Sequence, residues 1–410
     1  MNWDVVVIGA GAAGLVAAER AATRGLSTLL LEKNRRPGVK ILMSGGTRCN
    51  LTHATDERGI VTAFGASGRF LHSALAALSP QELVALVEAE GVATKVEETG
   101  KIFPVSNRAT DILAAFLARL ERSGCALSLG EPLVELQREG EAFRLVTPTR
   151  ILSARRVVVT TGGQSYPKSG TTGDGYRWST ELGHCLVPPR PALAPILTAE
   201  RWVHELRGVT IPDVVLRLVE PADKSRVLDT RRGSLLFAHF GLSGPVALDI
   251  SRTVSGHARP ASLRLDCDFL PDVGTAALEE HLRRQAAAEG KKQIASIVPA
   301  ALPRRLVDAL LCNASLNPEK KAAELSKQDS AALVRAIKQA AVAIDGTRGF
   351  GHAEVTAGGI PLAEVDSRTL ESKLVPGLFL AGEVLDLDGP IGGYNFQAAF
   401  STGWLAGLSV

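Results

Sequence analysis

At 410 residues the chain is longer than one ordinary core and long enough for two or three lobes. Apolar residues at 45% and charged residues at 22% exclude a disordered or fibrous chain, and a formal charge of +3 is too small to name a partner by itself. Five cysteines, Cys49, Cys125, Cys185, Cys267 and Cys312, stand far apart without a Cys-x-x-Cys pair, which argues against a disulfide framework and a structural zinc and leaves free thiols as the expectation.

The start of the chain lacks the basic residues of a secretory signal, and no apolar stretch reaches the roughly 18 to 20 residues that a membrane span needs. A cytoplasmic protein with no membrane partner is expected. The opening reads as a strand over 4–8, a tight turn over 9–14, a helix over 15–24 and a strand over 26–31, which is one βαβ unit. Helical spacing recurs over 68–91 and over 108–122, as in Ile112, Leu113, Phe116, Leu117 and Leu120. Strands are predicted at 127–129, 132–136, 143–146 and 157–160, the last a β-branched run of the kind found in a buried parallel sheet. Between 188 and 270 short alternating segments such as Val214-Val215-Leu216-Arg217-Leu218, separated by Gly, Pro and Asp, predict an antiparallel β lobe. From 274 to 341 the pattern is helical, broken at Pro299, Pro303 and Pro318. Strands return at 352–355 and 378–380, and an apolar helix over 396–408 can complete the first domain.

Gly9-x-Gly11-x-x-Gly14 follows a strand and opens a helix. Gly9 permits the tight turn, Gly11 lets backbone approach a diphosphate, and Gly14 lets helix and strand meet closely. The helix start at Ala12 and Ala13 presents free N–H groups and a dipole to an anion. Glu32, 23 residues after Gly9, stands where an acid accepts hydrogen bonds from ribose hydroxyls. A glycine triplet alone is equally a turn; the strand, helix and acid around it carry the reading, which does not by itself separate FAD from NAD.

Lys33, Gly38-Val39-Lys40 and Ser44-Gly45-Gly46-Thr47-Arg48-Cys49-Asn50 follow the ribose-binding strand end. Glycines and small hydroxyl residues beside an arginine can form a nest of N–H donors with a guanidinium for the diphosphate, the alternative being an ordinary surface loop. Val134, in the strand predicted at 132–136, and Thr161, Gly162 and Gly163, after the buried strand, complete the near set of expected cofactor contacts. The turn over 170–175 reads as structural. From the far end of the chain come Gly382-Glu383 and Gly392-Gly393-Tyr394-Asn395, where a double glycine opens a helix whose N-terminus could face the flavin N1–C2 edge and stabilise reduced flavin. A nicotinamide dehydrogenase needs no such second element, so the cofactor read from the residues is FAD.

These residues, with Gly100-Lys101-Ile102-Phe103-Pro104, Gly162-Gly163-Gln164-Ser165-Tyr166-Pro167 and Thr172-Gly173-Asp174-Gly175-Tyr176, resemble the BaiN/RdsA family of bacterial NAD(P)/FAD-dependent flavoproteins nearly end to end. Two departures stand out: the family pattern has a basic residue where Val39 stands and a third glycine where Thr47 stands. The resemblance implies a FAD domain of the glutathione-reductase type interrupted by a barrel-like lobe and a helical lobe. It also implies an activity drawn from reduction of carbon–carbon double bonds in steroid-like acids, dihydrouridine formation in large-subunit ribosomal RNA, or oxidation of an aminoketone. The predicted fold is α/β, with a Rossmann-like FAD-binding domain over 1–190 and 345–410, a β-rich substrate lobe over 191–270 and a small helical lobe over 271–344.

Because flavin carries the hydride, the protein need only place the acceptor and supply a proton. Cys49 beside Arg48 is one candidate acid, if the guanidinium lowers its pKa; equally, it is a small residue filling a tight loop. Tyr394 is a second candidate. His239, amid the apolar run 237–245, is a third, although a lone histidine there is more often structural. No metal-ligand spacing occurs, and no metal is expected. With no second Gly-x-Gly-x-x-Gly after the first 150 residues, NAD(P)H is expected to visit the flavin face transiently.

The expected activity is NAD(P)H-driven reduction of a conjugated C=C bond, with a uridine of 23S ribosomal RNA slightly favoured over a small molecule. Alternatives are a small-molecule ene-reductase or amine oxidase, and a flavin redox sensor that uses Cys49. Between 281 and 321 the pairs Arg283-Arg284, Lys291-Lys292, Arg304-Arg305 and Lys320-Lys321 face only Glu289, Asp308 and Glu319, a candidate ribosomal RNA surface that is as readily an ordinary solvated face.

Overall fold

A computed structural model describes residues 2–222 and 226–410; Met1, at the head of the sequence, and residues 223–225, inside the predicted β lobe, lie outside the described residues. Strand β1 (Asn2–Ile8) is central to a seven-stranded sheet because Val5, Val6 and Val7 are apolar in succession and buried on both faces. It runs parallel to β2 (Thr28–Glu32), with Ile8 opposite Leu31, and parallel to the strand Ile151–Val159, with Ile8 opposite Val159. Leu378–Leu380 joins the other side of Ile151–Val159 in the same direction, Leu380 opposite Val159. Four strand ends therefore arrive at one edge. They carry Gly9, Glu32, Thr160 to Gly163 and Gly382 to the place where ligands sit in such sheets.

Helix α1 (Ala12–Thr23) is buried almost all round, because the C-terminal helix Tyr394–Ser409 lies along it. Glycines set that approach: a Cβ on Gly403 would lie 2.2 Å from the Ala13 carbonyl oxygen, and one on Gly407 would lie 2.4 Å from that of Ala17. This is why the closing helix is apolar on every face rather than striped. The strand predicted at 132–136 lies at Glu135–Glu139, and the one predicted at 157–160 is the last part of Ile151–Val159.

The chain divides into two compact units, one running to Arg190 and resuming over Glu354–Val410, the other Pro191–Ala353. In the second unit Thr210–Glu220 and Arg226–Ala238 form a long antiparallel pair within a seven-stranded sheet. Where two lobes were expected over 191–344, sheet and helices share one core: Leu216, Phe237 and Leu265 are buried with Leu282, Leu306 and Ile337. The reason is topological. Arg264–Asp268 and Ala340–Ala343 are paired neighbours, Arg264 opposite Ala343 and Cys267 opposite Ala340, so the helices between them are an excursion from a single sheet. The expected end at 344 moves to 353, since Gly346–Thr347 pairs with Ile196–Leu197 in that sheet.

Among the described residues no single helix is long and apolar enough to cross a membrane. Gly65–Ala77 and Pro80–Glu88 qualify only as a pair bent by 41°, and their Leu71, Leu75, Leu83 and Val87 are buried in the first core.

Candidate active site: a dinucleotide cradle

The first turn is built as a cradle. Gly9 adopts φ +101°, and its N–H donates to the Leu31 carbonyl at 2.8 Å, which fixes the turn against β2. A Cβ on Gly14 would lie 1.8 Å from the Gly9 carbonyl oxygen, so only glycine lets α1 start so close to β1. Gly11 differs: a Cβ there would meet no atom within 4 Å. The protein leaves open space over Gly11, and Gly11 caps α1 without any side-chain hydrogen bond, so the first N–H groups of the helix are available to an anion. Glu32, buried at the end of β2, accepts from the Ala10 N–H through Oε2 and from the Asn34 N–H through Oε1, each at 2.8 Å. Both oxygens are fixed, and each retains a lone pair for a hydroxyl.

Helix α2 (Val39–Thr47) is regular only to Met43. Ser44 is extended, and Gly45, Gly46 and Thr47 follow at φ +55°, +67° and +68°. Three successive positive-φ residues break the helix and carry the chain into the loop. The cations expected to serve it are otherwise engaged. Arg48 is paired to Glu97 at 2.7 Å, with its guanidinium 4.0 Å from the centre of the Phe103 ring, and Lys40 is bound to Glu383 at 2.5 Å and Ser165 Oγ at 2.6 Å. Lys33 holds Asp174 and Thr172, each at 2.6 Å. All three brace the loops around the cradle.

From the chain's far end, Gly382 at φ +76° donates its N–H to Thr402 Oγ1 at 3.0 Å, and Glu383 Oε1 accepts from the Thr356 N–H and Ser165 Oγ at 2.8 Å each. Gly393, at φ +97°, caps the C-terminal helix without a side-chain bond; a Cβ on it would lie 2.5 Å from the Thr52 backbone. Asn50 accepts from the Gly393 N–H at 2.9 Å and donates to the Thr52 carbonyl at 3.0 Å, tying the two loops together. Asn395 turns back on its own loop, accepting from the Gly389 N–H at 2.8 Å and donating to the Gly389 carbonyl at 2.9 Å. Tyr394 stacks on His53 with ring centres 4.6 Å apart, and His53 Nδ1 lies 3.0 Å from the Gly392 carbonyl. Sequence reasoning missed His53. Its signal was position, three residues beyond Asn50 in the same flavin-loop segment.

One expectation, a Cys49 thiol made acidic by Arg48, is corrected here, and the other expected residues are placed as follows. Cys49 is fully buried, and burial pushes its thiol up to about 12, a Ser44 hydrogen bond offsetting only part of the rise. Arg48 does not activate it, because its guanidinium is spent on Glu97 and Phe103; Cys49 fills the loop with a buried, protonated thiol. Both backbone polar groups of Val134 are used internally: its N–H donates to Val146, and its carbonyl accepts from Arg177 at 2.8 Å and Trp178 at 3.3 Å. Thr161 turns its hydroxyl toward Gly175, whose Cβ position would be 2.2 Å away. Gly162 stands at φ +71°, and a Cβ on Gly163 would strike Thr356 Oγ1 at 2.4 Å. His239 lies exposed in the second unit, its ring edge-on to Phe240 at 5.0 Å.

The basic lobe is also less basic than its window suggested. Arg283 and Arg284 pair with Glu280, just outside that window, Lys292 with Glu289, Arg304 with Asp308, and Lys320 with Asp329. Arg305 donates to the backbone carbonyls of Glu205 and Arg207.

With this geometry in hand, the HI0933-like protein Rossmann domain family matches residues 3–409. The chain belongs to this family. It is 33% identical over 406 residues to the ribosomal RNA dihydrouridine synthase of Escherichia coli, spanning 98% of this chain and 96% of that one. It is 31% identical to the Haemophilus influenzae protein of the same name, over 99% and 98% of the two chains. The 3-dehydro-bile acid delta(4,6)-reductase of Clostridium scindens is also 31% identical, over 98% of this chain and 97% of its own. The HI0933-like chain is thus a flavin-dependent oxidoreductase with a Rossmann-type FAD-binding domain. The residues present fit that cofactor: an open face over Gly11, an uncapped α1, a fixed Glu32 carboxylate and a second uncapped helix start at Gly393.

Proposed function

We propose that this enzyme takes electrons from NAD(P)H and reduces a conjugated C=C bond in the cytoplasm, with a uridine of 23S ribosomal RNA as the favoured acceptor. The observation that carries this reading is end-to-end similarity to ribosomal RNA dihydrouridine synthases, joined to a cradle whose open positions suit FAD. Bound FAD supplies the hydride. Backbone N–H groups at Gly11, Ala12 and Ala13 would hold its diphosphate, and Glu32 would hold its ribose hydroxyls. The start of the C-terminal helix at Gly393 and Tyr394 would lend its dipole to negative charge on a bound flavin. Tyr394, stacked on His53, carries a phenol O–H that would serve as the proton donor to an acceptor carbon.

A second reading, favoured by the bile-acid reductase among the relatives, keeps the chemistry and replaces the uracil ring with a conjugated small molecule. The test is to supply the holoprotein with NADPH and 23S ribosomal RNA lacking dihydrouridine. New dihydrouridine at a defined position supports the RNA reading. Unchanged RNA together with NADPH consumption on a conjugated bile acid supports the small-molecule reading, and failure with both rejects the proposal.

A further inference from the structure

Away from the cradle, the first unit holds a cavity of about 510 Å³ between residues 66–70 and 362–373. Its charged lining is unbalanced: Arg69, Arg368 and Lys373 face a single acid, Asp366. Arg368 lies 3.7 Å from Asp366, and Lys373 donates to the Ala363 carbonyl at 2.9 Å. Among the described residues no carboxylate forms an ion pair with Arg69 or Lys373. The remaining lining combines Ser67 and Ser367 with Phe70, half-buried against the first core, and with aliphatic residues such as Leu362 and Val365.

The volume suits one nucleotide-sized ligand. Arginine and lysine recognise phosphate, serine hydroxyls add hydrogen bonds, and the part of the half-buried Phe70 ring that lines the cavity offers an aromatic surface to a base. Position adds to the chemistry. The segment 66–70 follows Phe64, whose ring tip would lie 2.7 Å from a Cβ on Gly389, and the segment 362–373 follows Ile360, which bridges to Leu385. Both walls therefore grow from chain that contacts residues 385–389, the approach to the Gly392-Gly393 helix start.

We propose that this cavity binds a phosphorylated nucleoside, with phosphate on Arg69, Arg368 and Lys373 and the base against Phe70. The proposal deepens the nucleotide-using function above and rests on it for its biological source. That source is either a nucleotide of an RNA strand or the adenosine phosphate end of the nicotinamide dinucleotide. The cavity supplies an anchor outside the flavin cradle for a chain that carries no second dinucleotide motif.

The test is calorimetric titration of the holoprotein with adenosine 2′,5′-bisphosphate and, separately, with a short uridine-containing single-stranded RNA. Wild type is compared with Arg69→Gln, Arg368→Gln and Lys373→Gln, with flavin absorbance and melting temperature as controls for folding. At least one probe is expected to bind, and each substitution is expected to weaken it about fivefold, as for an exposed charge pair. The salt dependence should fall by about one unit of slope per removed phosphate contact. Loss confined to the bisphosphate assigns the dinucleotide as source, loss confined to the RNA assigns a strand, and loss of both assigns a shared site. No binding of either probe to wild type, or binding unchanged in all three variants, overturns the proposal. Because these titrations need no turnover, a wild type that binds as expected but neither oxidises NADPH nor modifies RNA refutes the proposed function and leaves the cavity assignment standing.

Discussion

Gly11 and Gly14 require glycine for opposite reasons, and substitution separates them. Gly14→Ala puts a methyl 1.8 Å from the Gly9 carbonyl, so it should cost about 3 kcal/mol or more and lower the yield of folded protein. Gly11→Ala meets no protein atom within 4 Å, so it should melt like wild type yet lose bound flavin, because the methyl occupies the path of the diphosphate. Circular dichroism and flavin content distinguish the two. Thr47 is a β-branched residue at φ +68°, a conformation that favours glycine. Relieving that strain is worth about 1–2 kcal/mol, against about 0.5–1 kcal/mol for the added freedom of glycine, so Thr47→Gly should leave the melting temperature unchanged or raise it. Cys49 shows where sequence adjacency misleads. Neighbouring residues need not share a side of the chain: at φ +62° Cys49 turns inward while Arg48 reaches Glu97 and Phe103. Cys49→Ala should therefore keep turnover within about threefold and lose only the stability of a small buried group, about 1 kcal/mol. A loss of two or more orders of magnitude in kcat would restore the thiol as the acid.

Elements were legible where the sequence pattern had one cause. β1, α1 and the closing helix declared themselves through continuous apolar runs and glycines at a strand-to-helix turn. The first half of Ile151–Val159 did not, because Ser153, Arg155 and Arg156 interrupt the pattern where that strand has one face exposed. The displaced strand at Glu135–Glu139 has a similar origin: the residues before it are tied down by tertiary bonds, Gly130 to Asn34 and Glu131 to Glu32, that no local pattern encodes. Glu131 is the anchor there. It takes two hydrogen bonds from Arg150 at 2.8 Å each, with Thr147 and Ser128 alongside, and these hold its carboxyl down to about 2. A depressed carboxylate stabilises the fold fully above its ordinary value of 4.5 and progressively less as pH falls toward about 2. Wild type should thus lose melting temperature between about pH 5 and about pH 3 more steeply than Arg150→Met, whose Glu131 lacks the partner that lowers it. Equal slopes would contradict the assignment.

At the scale of the whole molecule, the cofactor class could be read because the motifs that signal it come from both chain ends and converge on strand ends whose order follows from one βαβ unit. The unit division between Arg190 and Pro191 coincides with a run of prolines at 188, 189 and 191, whereas the single core of Pro191–Ala353 depends on the pairing of Arg264–Asp268 with Ala340–Ala343 across the helices between them, which sequence texture cannot report. Part of the charge of the 281–321 stretch is offset by acids just beyond its ends, Glu280 with Arg283 and Arg284 and Asp329 with Lys320. The central claim is that this chain holds FAD and accepts electrons from a nicotinamide nucleotide. Anaerobic titration of the purified holoprotein with NADPH, and separately with NADH, tests it most directly. The account predicts that the oxidised flavin band bleaches with one of them; a band that persists with both, or a preparation that carries no flavin, would contradict it.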